Sequence, residues 1–132
     1  MRLLLILLTT LFIGGISAQG SLVQEHWPDG SLRSTRYSEA GRMHFINYHE
    51  NGRVKEMGSY LNGKRDGLWN QYTDTGVLLA RATFHDGVRQ GVWEFRTADG
   101  QPLGTLRYSN GLLTQGQLLD DSGELVAQRD YR

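Results

Sequence analysis

A repeat constrains this chain more than any other feature. "LNGKRDGLWNQY" (residues 61–72) and "HDGVRQGVWEF" (residues 85–95) share one arrangement: Gly63, Gly67 and Trp69 recur 24 residues on as Gly87, Gly91 and Trp93. Repetition at such a period governs the fold, because each unit can bury its apolar side only against copies of itself. Glycines at 30, 41, 52, 63, 76, 87, 100, 111 and 123 punctuate the chain at gaps of 11 to 13 residues. Most follow Asp or Asn, and such dipeptides adopt the positive φ angles of hairpin turns. Gaps of this size leave strands of roughly 8 to 10 residues, and the turns divide the chain into about ten strands.

Superposed, the segments give units from Met43 to Asp66, Gly67 to Gln90 and Gly91 to Gln115, with a shorter unit at each end. An aromatic precedes the first turn glycine of each unit by seven residues (Phe45, Trp69, Trp93), and another follows it by eight (Tyr60, Phe84, Tyr108). With two-residue loops throughout, counting outward from the turns sets Thr73 opposite Leu78, Gln71 opposite Ala80, Trp69 opposite Ala82 and Phe45 opposite Gly58. The same counting sets Gly58 opposite Gly67 and Ala82 opposite Gly91. Large side chains then face small ones, and Gly67 is expected to leave room for the Trp69 indole.

Side chains alternate along a strand, so this register sorts the residues onto two faces. One collects Phe45, Trp69, Leu78, Ala80, Ala82, Phe84, Trp93, Phe95 and Tyr108 and is expected to be the better buried. The other collects Tyr48, Met57, Leu68, Tyr72, Leu79, Arg81, Val92, Leu103 and Arg107, a mixed and partly wet surface. Pro102 cannot donate to a ladder and marks a bulge after Gly100. No helix is expected after the first segment.

That segment, "MRLLLILLTTLFIGGISA", has the charge, apolar run and small terminal residue of a signal peptide, with cleavage expected after Ala18. As a membrane anchor it is short: the run from Leu3 is interrupted at Thr9-Thr10 and stops at Gly14-Gly15, below the roughly 20 residues that span a bilayer. The expected organisation is residues 1–18 as leader and 19–132 as one repeat domain. The chain contains no cysteine, so packing and strand pairing alone must hold it together, which suits a bacterial periplasmic or secreted protein. Lys and Arg number 14 against 14 Asp and Glu. Such a balance gives no charge field for nucleic acid and little for an anionic membrane.

Sites for chemistry are scarce. There is no cysteine nucleophile and no G-x-S-x-G serine. His26, His44, His49 and His85 lack metal-site spacing and read as solvated. Asp120-Asp121 precedes a turn, where short acidic side chains cap their own backbone. Glu56 falls on the aromatic face near open solvent, and Lys64-Arg65 after a turn reads as a solvated, edge-protecting pair. No catalytic, cofactor-binding or metal-binding residue is expected.

"NGKRDGLWNQYTDTGVL" and "DGVRQGVWEFRTADGQPL" resemble the MORN-variant repeat, roughly N-G-K-x-x-G-x-W-x-x-Y-x-x-x-G-x-L. The resemblance is close over residues 43–115 and looser in the flanks. It implies an all-β fold: an open, twisted, single-layer antiparallel meander of stacked hairpins. The structural repeat residues, read from the internal period and register, are Phe45, Gly52, Gly58, Gly63, Gly67, Trp69, Gly76, Ala82, Gly87, Gly91, Trp93, Gly100 and Gly111. Bacterial proteins of this kind often bear the label of YwqK-type antitoxins, and related arrays are protein-binding or membrane-binding scaffolds. The expectation is a non-enzymatic exported module with a protein partner, acting as a scaffold or in an immunity or antitoxin-like role. Its candidate partner-binding face is Tyr48, Met57, Tyr72, Leu79, Arg81 and Arg107, residue types that anchor interfaces. The alternatives are peripheral membrane binding and carbohydrate binding by the aromatic row.

Overall fold

The computed structural model describes residues 21–132; the leader and the cleavage expected after Ala18 lie outside the described residues. Its strands are β1 (Leu22–His26), β2 (Leu32–Glu39), β3 (Arg42–Tyr48), β4 (Val54–Leu61), β5 (Lys64–Arg65), β6 (Gly67–Tyr72), β7 (Leu78–His85), β8 (Val88–Arg89), β9 (Gly91–Arg96), β10 (Pro102–Ser109), β11 (Leu112–Leu119) and β12 (Leu125–Asp130). All join one antiparallel sheet in the order β1-β2-β3-β4-β6-β7-β9-β10-β11-β12, with β5 on β4 and β8 on β7. The short β5 and β8 are the first steps of the runs that continue as β6 and β9, so the meander has the ten-run, all-β form expected. No helix occurs among the described residues.

Two kinds of turn alternate. At Ala40-Gly41, Asn62-Gly63, Asp86-Gly87 and Asn110-Gly111 both residues have positive φ, from 48° to 50° for the first and 75° to 84° for the glycine. These are two-residue loops whose twist matches that of the strands they join. At the other end of the strands the loops are longer. The Gly52 amide donates to the His49 carbonyl (2.9 Å) and the His49 amide to the Arg53 carbonyl (2.8 Å), and the same pair of bonds recurs around Gly30, Gly76, Gly100 and Gly123. Uniform two-residue loops are therefore corrected at these five turns, where a tight turn plus a glycine bulge takes an extra residue. One consequence is local: Leu78 pairs with Tyr72, not Thr73.

The register expected across β3–β4 and β6–β7 is present, with Phe45 opposite Gly58 and Trp69 opposite Ala82. Pro102 adjoins a register shift, as its missing N–H requires. Across the Asn62-Gly63 and Asp86-Gly87 turns the expected register is wrong, whereas across Ala40-Gly41 a plain two-residue count holds. β4 pairs β6 through Glu56↔Gln71 and Met57↔Asn70, which places Gly58 beside Trp69, not Gly67. β7 pairs β9 through Ala80↔Phe95 and Arg81↔Glu94, which places Ala82 beside Trp93, not Gly91. The cause lies just after each turn, where Asp66-Gly67 and Gln90-Gly91 bulge out of the ladder with φ of 88° at Gly67 and 72° at Gly91. Gly67 is glycine because its backbone is left-handed; the indole rests on Gly58. A Cβ built on Gly58 would lie 2.6 Å from Trp69 Cδ2.

Apolar burial is confined to one face; on the other, the polar residues Thr35 and Ser59 are buried. Phe45 (7%), Trp69, Phe84 and Tyr108 (8% each) are the buried apolar residues, packed with Tyr60, Ala82 and Trp93. Among the described residues no side chain is sealed on every side, as a single layer dictates. Two small residues set how deep the tryptophans sit: Trp69 lies on Gly58 and is buried, whereas Trp93 lies on Ala82 and is half-buried.

Candidate functional site

On the aromatic face one ring from each run between β3 and β10 joins a ladder. Centroids lie 4.7 Å apart for Phe45–Trp69, 5.3 Å for Tyr60–Trp69, 5.7 Å for Trp69–Phe84, 5.2 Å for Phe84–Trp93 and 5.0 Å for Trp93–Tyr108. All are tilted or edge-on contacts, the arrangements that ring quadrupoles favour. Each indole N–H donates to a carbonyl on the preceding run, Trp69 Nε1 to Ser59 (3.2 Å) and Trp93 Nε1 to Thr83 (3.1 Å), so neither ring carries an unpaired donor into the stack.

Arginine covers the rings. The Arg65 guanidinium lies 4.6 Å from the Trp69 ring centre and 5.3 Å from that of Phe84, and Arg89 repeats this over Trp93 (5.7 Å) and Tyr108 (5.5 Å). Arg65 is exposed, as expected, but its guanidinium lies over rings instead of guarding an edge; Lys64 is exposed too and pairs with Asp86 at 3.6 Å. The recurrence of Arg65 as Arg89 was the signal, since Lys64 becomes Val88 at the same step. Between the arginines runs a groove of about 320 Å³ lined by Glu56, Trp69, Ala80, Ala82, Trp93 and Phe95.

The bulges have a task. Asp66 Oδ2 accepts the Asp86 amide (3.0 Å), and Gln90 Oε1 accepts the Asn110 amide (2.9 Å). The adjoining glycine amides donate to the same segments, Gly87 to the Arg65 carbonyl (2.8 Å) and Gly111 to that of Arg89 (2.9 Å). Each bulge therefore latches the next two-residue turn onto its predecessor. The Asp86 amide, followed by a hydrogen bond from Arg42 (2.9 Å), holds the Asp66 carboxyl below the usual aspartate range. Asp120 is held low by the Ser122 hydroxyl (2.7 Å) and the Glu124 amide (2.9 Å), the turn cap expected of it. His44 differs from the solvated side chain expected: it stacks on Tyr37 at 4.8 Å. His49 Nε2 contacts the Tyr72 carbonyl at 3.0 Å.

The opposite face holds the residues singled out for a partner. Met57 and Tyr72 border one open hollow with Val54. Arg81 stands opposite Asn70 on β6 and Glu94 on β9, and Leu79 lies two residues along the same strand. Arg107 lies farther off, opposite Val92 and Gln115. Tyr48 is drawn away from the group: it pairs with Val54 beyond a register shift, and its hydroxyl contacts Thr35 Oγ1 at 3.3 Å. Met57 (37%), Leu68 (58%), Val92 (37%) and Leu103 (46%) are exposed on this side. The Arg81 and Arg107 side chains make no ion pair among the described residues, and Asn70 Oδ1 is buried without a partner. No cluster of three or more His, Asp or Glu suited to a metal ion occurs among the described residues.

The family model described as "MORN repeat variant" matches residues 43–62, the hairpin from β3 through β4 to the Asn62-Gly63 turn. This hairpin is similar to the MORN-variant repeat. The internal period extends the MORN-variant pattern to the hairpins beginning at Gly67 and Gly91. No curated protein matches the chain. Among solved structures it is similar to a mutant of S. aureus TarM in complex with fondaparinux, alpha-GlcNAc-glycerol and UDP, with 7% identity over 74% of this chain and a TM-score of 0.47. A second TarM structure gives 8% identity over 82% and a TM-score of 0.41. The chain spans 21% of the length of each.

Proposed function

We propose that this chain is an exported, non-enzymatic repeat module that binds another protein through the face opposite the aromatic ladder. The observation that carries the reading is the combination on that face of exposed apolar side chains (Met57, Leu68, Val92, Leu103) with Arg81 and Arg107, which make no ion pair among the described residues. Apolar anchors beside arginine are the composition of interface hot spots, and a rigid sheet presents them with little ordering cost. The aromatic face supports a binding role less well, since Arg65 and Arg89 occupy the ring faces that a sugar would stack on. A membrane role finds little support in a net charge of +0. Within this reading, a periplasmic or secreted location and an immunity or antitoxin-like task rest on the leader segment and the repeat family.

The test is capture from envelope extract with Leu79→Asp combined with Arg81→Glu. A specific partner held by the wild type and lost at least tenfold by the folded variant supports the face. Retention of every partner by the variant refutes it. Flotation with anionic vesicles at low salt would instead favour the membrane alternative.

A further inference from the structure

Among the described residues the sheet ends in two strands paired on one side only, β1 against β2 and β12 against β11. The backbone phase of each follows from one hydrogen bond. Ser38 donates to the Ser21 carbonyl (3.2 Å), so Ser21, Val23 and Glu25 direct their amides and carbonyls to β2, and Leu22 and Gln24 direct theirs outward. Tyr131 donates to the Thr114 carbonyl (2.9 Å), so Arg129 and Ala127 face β11, and Gln128 and Asp130 face outward. An open edge of this kind is a template for another strand.

The two edges also complete each other's pattern. On the face opposite the ladder, the row Thr105–Gln117–Gln128 is hydrogen-bonded side chain to side chain, Thr105 Oγ1 to Gln117 at 3.2 Å and Gln117 Nε2 to Gln128 Oε1 at 3.0 Å. At the other end the same row is Gln24–Thr35, with Gln24 Nε2 donating to Thr35 Oγ1 at 3.5 Å. One end therefore offers the second N–H of the Gln128 amide, the first being donated to Asp130 Oδ1 (3.3 Å), and the other a carbonyl oxygen on Gln24.

We infer that copies of this chain join head to tail, β12 of one pairing antiparallel with β1 of the next in the register Gln128↔Gln24 and Asp130↔Leu22. Both pairs bring outward-facing backbone groups together, and the Gln128 amide donates to the Gln24 carbonyl to continue the glutamine row. The run order is kept: β12 follows a three-residue turn and β1 leads into one, so the junction stands where a two-residue turn would be. On the aromatic side the register sets Arg129 opposite Val23 and diagonal to Glu25, within reach of opposite charges. The contact is heterologous, so it extends into a filament with the ladder on one side throughout.

Cysteine is absent from the chain, which makes cross-linking selective. Full-length Gln24→Cys and Gln128→Cys variants, mixed in equal amounts and oxidised, are expected to give mixed dimers in at least tenfold excess over either homodimer. The double variant is expected to give a ladder of multimers. Random pairing, or dominant homodimers of either variant, overturns the inference. Gln128→Pro removes one outward amide at an edge that tolerates proline. It is expected to keep the β circular-dichroism signal while sedimenting as monomer, whereas wild-type mass rises with concentration. A wild type that stays monomeric at every concentration also overturns it.

Discussion

Gly58 and Gly104 are glycines of contact, and Gly67 is a glycine of conformation. Alanine at Gly58 would drive a methyl into the Trp69 indole, and at Gly104 the added Cβ would lie 2.3 Å from the Gln117 carbonyl oxygen. A ring can tilt outward, as Trp93 does over Ala82; a ladder carbonyl cannot without breaking the pairing. Gly58→Ala is therefore expected to cost about 1–3 kcal/mol, with a red-shifted tryptophan emission, and Gly104→Ala to cost more in the same denaturant titration. Gly67→Ala is expected to cost about 1 kcal/mol or more through its left-handed backbone, with the emission unchanged. Asp66 adds a pH signature. Its folded pKa is depressed, so the latch contributes above the ordinary aspartate value and is lost as pH falls through the lower, folded one. On acidification below about pH 4 the Asp86 amide resonance is expected to move, while Asn110, latched by the neutral Gln90, stays in place. Equal movement of both would contradict the latch.

At the scale of the element, turns and faces were legible in the sequence and pairing partners across the bulges were not. Asn-Gly and Asp-Gly announced the hairpins because they tolerate positive φ in succession. Nothing in "KRDGLW" distinguishes a glycine spared for an indole from one bent into a bulge, and counting through it misplaced Gly58 by two residues. A slip of two leaves every side chain on its own face, which is why Trp69 and Ala82 were placed together correctly while their neighbours across the turn were not. The role of Arg65 was hidden for a different reason: cation–π stacking depends on where a long side chain folds back, which composition does not record. Removing the rung itself, Trp69→Ala, is expected to cost about 3–5 kcal/mol. A double-mutant cycle of Trp69→Phe with Arg65→Ala is expected to show coupling of about 0.5–1 kcal/mol; zero coupling would make the arginine a bystander.

Across the whole molecule, each hairpin touches only its neighbours, so stability is a sum of rungs and junctions, with no central core. Excision of Gly67 to Gln90 joins Asp66 to Gly91, the same kind of step that links Gln90 to Gly91 in the intact chain. The shortened protein is expected to keep its β spectrum and unfold at a lower denaturant concentration; wholesale unfolding would show that the repeats are not interchangeable. The claim beneath all of this is that the Trp69 ring sits on Gly58. The α-proton shifts of the two glycines measure it directly. Ring current is expected to move the Gly58 resonances strongly upfield, with cross-peaks to the indole, while Gly67 stays near ordinary values. Upfield Gly67 with ordinary Gly58 would contradict the register and the ladder built on it.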